Sequence, residues 1–230
     1  MNSKQIDAIL SQNPFEQLSD IVFNLIKQDI TSSTLKPGEK LNISKISEEL
    51  NVSRTPVREA LIKLCESGLV KKDSDKQGFY VSVLKTEDIE RIYFLRSAIE
   101  SKAAFLCAAQ KNCPNIEKMK ILAENIGNPL SFDKLSSIDS EFHDLIVLSS
   151  GNNFLIEIYK FMENRFKRIR TSNLINLIQN NAIALQKTSA EHSAVINSII
   201  ANMPELAEKE MINHIKNAYN DTFLYSNVAL

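Results

Sequence analysis

The sequence predicts a mostly α-helical protein made of two parts that differ in composition. Five glycines and six prolines among 230 residues disfavour a glycine-rich β-sandwich and favour long helices. Three of the five glycines precede residue 84 and lie among short apolar segments, whereas long amphipathic patterns fill the rest of the chain. We therefore predict a domain boundary at Leu84–Lys85, with an N-terminal domain of residues 1–84 and a C-terminal domain of residues 85–230.

The composition argues against several classes of protein. Hydrophobic residues make up 43% of the chain and charged residues 24%, which is usual for a folded globular protein. No apolar run approaches the ~18 residues of a membrane span, and no secretory signal follows Met1. The three cysteines have no metal-like spacing and no even count for a disulfide framework, so we expect a cytoplasmic protein. Because the formal net charge is −1, any binding to nucleic acid must come from a local basic patch.

The N-terminal domain is predicted to hold three helices and one β-hairpin. The predicted elements are a helix from Pro14 to Ser32, a turn at 36–39, a helix from Ser44 to Leu50, a helix capped by Ser53 or Thr55 and ended by Gly68, and strands at 69–72 and 79–83. About three residues join the two short helices, and the hairpin follows at once. This order is the outline of a winged helix-turn-helix, with the hairpin as the wing.

Two arginines indicate what the second short helix does. Arg54 and Arg58 are four residues apart, so they share one face near the N-terminus of the helix, opposite its apolar face. A recognition helix presents that end to DNA, and an arginine bonded to guanine gives about 1–3 kcal/mol of discrimination. The alternative is an ordinary solvated face formed by Arg54, Arg58 and Lys63. The hairpin immediately downstream favours the DNA-binding interpretation.

The C-terminal domain is predicted to be an all-α bundle of about six helices. After residue 84, no segment of the sequence has the pattern typical of a β-strand. The predicted helices are Thr86–Ala109 with Thr86 as its cap, Pro114–Ile126, Ser131–Ser149, Phe154 to about Thr171, Thr188 to about Asn202, and Pro204 to about Thr222. The fifth of them is predicted to open with a capping box formed by Thr188 and Glu191.

The three histidines of the chain, His143, His192 and His214, fall on separate helices of this bundle. Asp139 precedes His143 by four residues, which places a carboxylate and an imidazole on one helix face. The four side chains could converge as a metal site, of the kind that suits Zn²⁺ and also Ni²⁺ or Mn²⁺. Positions left open on such a metal could hold water or a ligand carboxylate. The alternative is that each histidine is an ordinary surface or core residue.

A second charged pair lies on the first long helix of the bundle. Arg96 and Glu100 are four residues apart at the edge of its apolar stripe. A part-buried arginine needs a carboxylate, supplied by Glu100 or by a bound anion, and an exposed surface pair is the alternative.

Two further interpretations of the metal site stay open. Motifs for nucleotide binding and for a nucleophilic serine are missing from the sequence. A metal-dependent hydrolase would need a general base beside the metal, and the candidate Glu141 points away from the Asp139–His143 face. The remaining interpretation is a purely structural site.

Two stretches of the N-terminal domain carry a specific pattern. They read Leu35-Lys-Pro-Gly-Glu-Lys-Leu41 and Ile46-Ser-Glu-Glu-Leu-Asn-Val-Ser-Arg-Thr-Pro-Val-Arg-Glu-Ala-Leu61, followed by Leu64 and Gly68-Leu-Val70. This pattern closely resembles the GntR family of bacterial transcription regulators. The C-terminal domain is similar to the FCD ligand-binding domain of the FadR-like branch of that family. The matching residues are Arg96 with Glu100, Asp139-Ser-Glu-Phe-His143, Ser150-Gly-Asn152, Glu191-His192 and His214.

The resemblance implies a DNA-binding transcription regulator and not an enzyme. It implies DNA contacts from Arg54, Thr55 and Arg58, with Gly78 at the wing tip near the minor groove. It implies metal ligation by Asp139, His143, His192 and His214, and an effector contact from Arg96. Zinc is the favoured metal and a small organic acid the expected effector. A homodimer is expected to bind a palindromic operator in double-stranded DNA.

The chain departs from the family pattern in the first short helix. Many relatives carry an arginine at the position of Ser44, which Lys45 follows in this sequence. We therefore expect that DNA contact to be lost or to shift to Lys45, with a change in operator preference.

Overall fold

The computed structural model describes residues 3–73, 77–180 and 184–224. Helices dominate these residues, and the strands form one small sheet near the N-terminus, so the predicted mostly α-helical fold class is confirmed. The chain divides into two compact units, one of residues 1–84 and one that begins at Lys85.

The N-terminal unit contains four helices and a three-stranded antiparallel sheet. Its elements are α1 (Ser3–Gln12), α2 (Leu18–Thr31), β1 (Lys40–Leu41), α3 (Ile43–Leu50), α4 (Arg54–Glu66), β2 (Val70–Asp73) and β3 (Gly78–Val81). The strand order is β1-β3-β2, with Leu41 opposite Phe79 and Val70 opposite Val81. This is a winged helix-turn-helix in which α3 and α4 are the two short helices and β2–β3 is the wing.

The position of α4 is fixed by its apolar face and by the turns at its two ends. Val57, Leu61 and Leu64 are fully buried in the core of this unit. Before α4, Asn51 adopts a left-handed conformation at φ 53° and ends α3. After α4, Gly68 adopts φ +73°, which a residue without a Cβ tolerates best, and the next N–H bonds back to Leu64 O at 3.1 Å. The opposite face of α4 is thereby presented to solvent.

Several predicted boundaries in this unit are wrong. The first long helix begins at Leu18 rather than Pro14. Helix α3 begins at Ile43 rather than Ser44, because the Asn42 side chain caps it by accepting hydrogen bonds from two N–H groups of the first turn. Ser53 rather than Thr55 precedes α4. The prediction missed α1, which buries Ile6, and also missed β1, which is two residues long.

The second unit contains six helices in its described residues, as predicted. They are α5 (Thr86–Ala109), α6 (Ile116–Asn125), α7 (Phe132–Ser149), α8 (Asn153–Asn180), α9 (Ala184–Ile200) and α10 (Pro204–Leu224). Helix α5 packs along α10, α7 and α9, so three of its neighbours carry the predicted metal ligands. The bundle therefore brings separate parts of the chain to one interior region.

Three predictions at helix ends of this unit are corrected. Lys85 rather than Thr86 stands at the cap position of α5. Helix α8 continues beyond Thr171 because Leu174 and Leu177 extend its buried face. The predicted capping box at Thr188 is wrong: α9 begins at Ala184, and the Thr188 hydroxyl donates a hydrogen bond to the Ala184 carbonyl inside the helix. Within residues 3–73, 77–180 and 184–224, no helix is long and apolar enough to cross a membrane.

Two neighbouring residues of α4 allow a test of how this helix is anchored. Leu61 is fully buried and Ile62 is 46% exposed. We expect Leu61→Ala to lower the free energy of unfolding by about 2–5 kcal/mol, because it leaves a cavity in the core. Ile62→Ala is the matched control and should cost much less. Urea unfolding followed by circular dichroism measures both, and equal losses for the two variants would contradict the packing described for α4.

Candidate metal centre and nucleic-acid interface

The solvent face of α4 carries unpaired positive charge. Arg54, Thr55 and Arg58 are all exposed on this helix. Neither arginine forms an ion pair with a carboxylate in the part of the chain that the structure describes, whereas Lys63 on the same helix pairs with Asp20 at 2.6 Å. Two guanidinium groups at the start of α4 are therefore available to an outside acceptor.

The other predicted DNA contacts lie on α3 and on the wing. Lys45 is exposed and makes a long ion pair with Glu49 at 3.8 Å, while the Ser44 side chain is half-buried. Gly78 begins β3, where a Cβ would lie 3.2 Å from the Lys40 Cε atom. Residues 74–76 of the wing tip lie outside the described residues. The structure thus places an exposed lysine on α3 and a glycine at the base of the tip.

The three histidines meet inside the helical unit, although they come from α7, α9 and α10. His214 Nε2 lies 3.3 Å from His192 Nε2 and 3.3 Å from His143 Nε2. The ligand atoms of these three imidazoles all lie within 4.8 Å of one another, and all three side chains are buried. Asp139 Oδ1 lies 3.9 Å from Nε2 of both His143 and His192. Three imidazole nitrogens therefore converge, and the Asp139 carboxylate lies beside two of them.

Groups behind the imidazoles orient their rings. Glu191 Oε2 accepts a hydrogen bond from His214 Nδ1 at 2.9 Å, and the Asn217 amide holds the other oxygen of Glu191 at 2.7 Å. Glu100 Oε2 lies 2.7 Å from His143 Nδ1 but off the N–H direction, so this contact is chiefly electrostatic. Carboxylates behind Nδ1 favour its protonation, which leaves the Nε2 lone pair facing inward.

His192 is held differently from the other two. Its ring stacks on the buried Phe142 ring with the centroids 3.9 Å apart, and among the described residues its Nδ1 has no hydrogen-bond partner. Aromatic stacking fixes the plane of this imidazole where a carboxylate fixes the other two.

Burial keeps two of the imidazoles neutral. It lowers the pKa of His143, against the opposing effect of Glu100, and it holds the pKa of His192 well below its usual value, helped by the neighbouring imidazoles. In the tautomer in which each Nε2 atom carries a lone pair, the one that ligates a metal, atoms 3.3 Å apart repel one another unless a cation lies between them. Nitrogen ligands ~2.0–2.1 Å from a tetrahedral Zn²⁺ ion are separated by about this distance. The donor set of three imidazoles and one carboxylate fits a divalent cation.

Arg96 is fully engaged with its predicted neighbour. Its Nε and Nη2 atoms donate to the two oxygens of Glu100 at 2.9 and 3.3 Å, and both side chains are almost completely buried. Burial alone would raise the pKa of Glu100, but Arg96 and His143 outweigh it and hold that pKa well below its usual value. Arg96 also lines a cavity beside the histidines. It therefore borders the site and also holds the Glu100 carboxylate behind His143.

A cavity opens beside the histidines. It spans about 410 Å³ including its mouth, but the centre of a water molecule has access to only about 30 Å³, the room of one or two waters. Its lining includes Asp139, His143 and His214 on one side and residues of α8 on another. Only a ligand of few atoms fits this cavity without side-chain movement.

Sequence reasoning missed Arg170, which is 4% exposed and lines the same cavity. Its Nη1 atom donates to Tyr159 Oη at 3.1 Å, and that hydroxyl donates to Asp144 at 2.6 Å. Burial would lower the pKa of Arg170, but Tyr159 and the nearby carboxylates raise it above its usual value. The sequence shows Arg170 within a basic cluster at a predicted helix end, a pattern that indicates a solvated surface.

Glu141, the base considered for a hydrolase, does not join the site. Its carboxylate is 41% exposed and pairs with Lys118 at 2.5 Å. Near the histidines, Glu100 is paired with Arg96 and Glu191 lies behind His214, so neither of these carboxylates is a free general base.

Two family comparisons cover most of the chain. Residues 18–81 match the gntR family of bacterial regulatory proteins, and residues 91–217 match the FCD domain. Both matches describe regulators rather than enzymes. The first contains the winged helix-turn-helix, and the second contains all three histidines, Asp139 and Arg96.

Individual proteins agree with these matches. The HTH-type transcriptional regulator YdhC of Bacillus subtilis is 27% identical over 196 residues, which cover 84% of this chain and 85% of that protein. The HTH-type transcriptional repressor RspR of Escherichia coli is 30% identical over 141 residues, which cover 58% of this chain and 60% of that protein, less than two thirds of its length.

Solved structures show the same fold. Escherichia coli McbR/YncC matches with a TM-score of 0.74 at 20% identity, over 93% of this chain and all of that one. A GntR transcriptional regulator from Rhodococcus sp. RHA1 matches with a TM-score of 0.72 at 20% identity, over 89% of this chain and 97% of that one. The chain belongs to the GntR family of bacterial regulatory proteins, carries an FCD domain, and is a DNA-binding transcription regulator.

Proposed function

We propose that this chain is a metabolite-responsive regulator whose FCD domain, residues 85–230, binds a divalent metal ion and a small carboxylate. Zinc is the favoured ion, with nickel and manganese as alternatives. The observation that carries the proposal is the convergence of three buried Nε2 atoms and one carboxylate on a common point. Residues 1–84 bind a palindromic operator as part of a homodimer in the cytoplasm.

The metal would be held by His143, His192, His214 and Asp139. A bound divalent cation supplies a Lewis acid that attracts a carboxylate. Mixed imidazole and carboxylate ligands suit zinc and also other transition metals, so this ligand set favours zinc but also accepts nickel or manganese. In this proposal Arg96 lies beside the effector and keeps Glu100 in place behind His143. In this proposal the acid binds in the cavity beside the histidines.

The effector acts by favouring one arrangement of the two DNA-binding domains of the dimer. A ligand shifts such an equilibrium only by the difference in its affinity for the two states. Direct contact between the acid and DNA is therefore unnecessary. Release from the operator is the outcome we expect for this regulator.

DNA recognition is assigned to Arg54, Thr55 and Arg58 on α4, with Lys45 on α3 and Gly78 at the wing. Arg54→Ala should weaken binding to the operator by about 1–3 kcal/mol and relax the preference at one base pair in each half-site, because a guanine contact is lost. The operator is obtained by selection from random duplexes with the wild-type protein, and fluorescence anisotropy measures its affinity at fixed salt.

Arg91→Ala is the matched control, because Arg91 is 76% exposed and lies outside the N-terminal unit. It removes the same charge and should leave the affinity and the selected sequence unchanged. Wild-type affinity and sequence preference in Arg54→Ala would contradict the assignment of α4 as the recognition helix.

The metal centre predicts a graded series of zinc affinities. His192→Ala should abolish stoichiometric zinc binding because it removes one of the three converging nitrogens. Glu191→Gln should weaken zinc binding by about 10–100-fold, since the Glu191 carboxylate orients the His214 ring. Competition with a chromophoric chelator measures both affinities.

Glu208→Gln serves as the control for this series. Glu208 lies on α10 with His214 but forms a surface ion pair with Lys102. Its zinc affinity should equal that of the wild type. Tight zinc binding by His192→Ala would show that the metal is held elsewhere.

A stripe on α8 is the surface that we assign to the homodimer. Phe154, Ile158 and Phe161 recur at helical spacing and are 79%, 55% and 74% exposed. A monomer rarely exposes such a contiguous apolar stripe, and two-fold operator recognition requires a second copy of the chain. Self-association through this stripe would cover it.

The stripe predicts which substitution produces a monomer. Ile158→Asp should shift the protein from dimer to monomer at micromolar concentration in analytical ultracentrifugation, because a carboxylate would be buried without a partner. Phe15→Asp, at an isolated site that is 94% exposed, should remain dimeric. A dimeric Ile158→Asp with wild-type affinity would place the interface on another surface.

A further inference from the structure

One wall of the cavity beside the histidines carries two polar atoms without partners. Arg170 and Asn173 are three residues apart on α8, so both face the cavity from one side of the helix. They are 4% and 7% exposed. Within the described residues, Arg170 Nε and Asn173 Oδ1 have no hydrogen-bond partner. One unsatisfied donor and one unsatisfied acceptor therefore belong to buried side chains that line the same cavity.

The contacts of Arg170 show that its structural role uses only part of the guanidinium group. Nη1 and Nη2 donate to Tyr159 Oη at 3.1 Å and to Asp144 Oδ1 at 3.4 Å. The Nε atom lies 3.8 Å from Asp139 Oδ2, beyond hydrogen-bonding distance. The two outer nitrogens hold the side chain in place, and the Nε–H group remains available to donate to a ligand in the cavity.

Leaving such atoms unpaired is costly. Each buried polar group without a hydrogen-bond partner destabilises the folded state by about 1–3 kcal/mol, and by more when the group is charged. A purely structural arginine would be expected to satisfy all its donors, as most buried polar groups do. Two unsatisfied atoms of opposite hydrogen-bonding character on one cavity wall instead match the two ends of a ligand fragment.

The remaining lining limits the size and character of that ligand. Leu174, Leu177 and Ala218 also border the cavity and provide apolar contacts. The space that admits a water centre is only about 30 Å³. A short carbon chain with polar groups at one end matches this combination of small volume and mixed lining.

We propose that Arg170 and Asn173 select a short-chain carboxylate that carries a hydrogen-bond donor on the carbon next to its carboxyl group. A carboxylate oxygen accepts from Arg170 Nε, and the neighbouring hydroxyl or ammonium group donates to Asn173 Oδ1. This inference rests on the proposed function and narrows its effector from any small acid to the hydroxy and amino acids.

Three acids with the same carbon skeleton test the inference: propionate has no donor, lactate has a hydroxyl and alanine has an ammonium group. Isothermal titration calorimetry of the full-length, zinc-loaded protein with each acid is the measurement. We expect lactate or alanine to bind at least ~10-fold more tightly than propionate, because propionate leaves the Asn173 acceptor unpaired. The stronger of the two identifies the donor as hydroxyl or ammonium.

Asn173→Ala should reduce this preference to less than ~2-fold without lowering the thermal stability of the ligand-free protein, because it removes an unsatisfied acceptor. Asn164→Ala is the matched control. Asn164 lies on the same helix, and its Oδ1 is also unpartnered among the described residues, but it does not line the cavity. This control should keep the wild-type preference.

Arg170→Lys should weaken all three acids at least ~10-fold, because a lysine keeps the charge but loses the Nε–H donor. Circular dichroism checks that Arg170→Lys is folded. If Arg170→Lys does not fold, the Asn173→Ala variant alone decides the inference.

Equal affinities for the three acids, no binding of any acid at millimolar concentration, or an undiminished preference in Asn173→Ala would each overturn the inference. Zinc content and operator binding are measured on the same preparation. Their loss would overturn the proposed function, whereas their retention with equal acid affinities would overturn this inference alone.

Discussion

The helical unit is organised around three imidazoles, in which Nε2 of His214 lies 3.3 Å from Nε2 of both His192 and His143. Two carboxylates, Glu100 and Glu191, lie behind two of the rings, and Phe142 stacks on the third. Lone pairs that converge in this way are unfavourable in a low-dielectric interior unless a cation balances them. A divalent cation at this point, as proposed, would balance the lone pairs and be balanced in turn by the buried carboxylates around them.

The charged groups around the histidines are paired within the bundle. Arg96 neutralises Glu100 through two hydrogen bonds, and Arg170 is fixed by Tyr159 and Asp144. Both of these buried arginines pair with carboxylates, and three residues with unsatisfied side-chain atoms, His143, Arg170 and Asn173, line the cavity. The histidine cluster, the two arginines and the cavity thus form one polar network, with apolar packing around it. A ligand in the cavity would contact this network directly and could bias how its helices pack.

The sequence predicted the fold well where the signal was local. Hydrophobic spacing located the six helices of the second unit, and Gly68 marked the end of α4. Helix ends were less predictable, because the Asn42 side chain starts α3 one residue before Ser44 and buried leucines extend α8 beyond Thr171. The spacing of Asp139 and His143 indicated part of the site, but it could not show that α9 and α10 deliver His192 and His214 to the same point. Arg170 was missed because its hydrogen bonds to other helices exist only in the folded bundle.

Anomalous X-ray scattering from crystals of protein purified without added metal or chelator tests the central claim most directly. The account predicts a strong peak within bonding distance of Nε2 of His143, His192 and His214 and of the Asp139 carboxylate. An absorption-edge scan would identify the element. A map without such a peak, in which the three imidazoles have turned away from one another, would contradict the account.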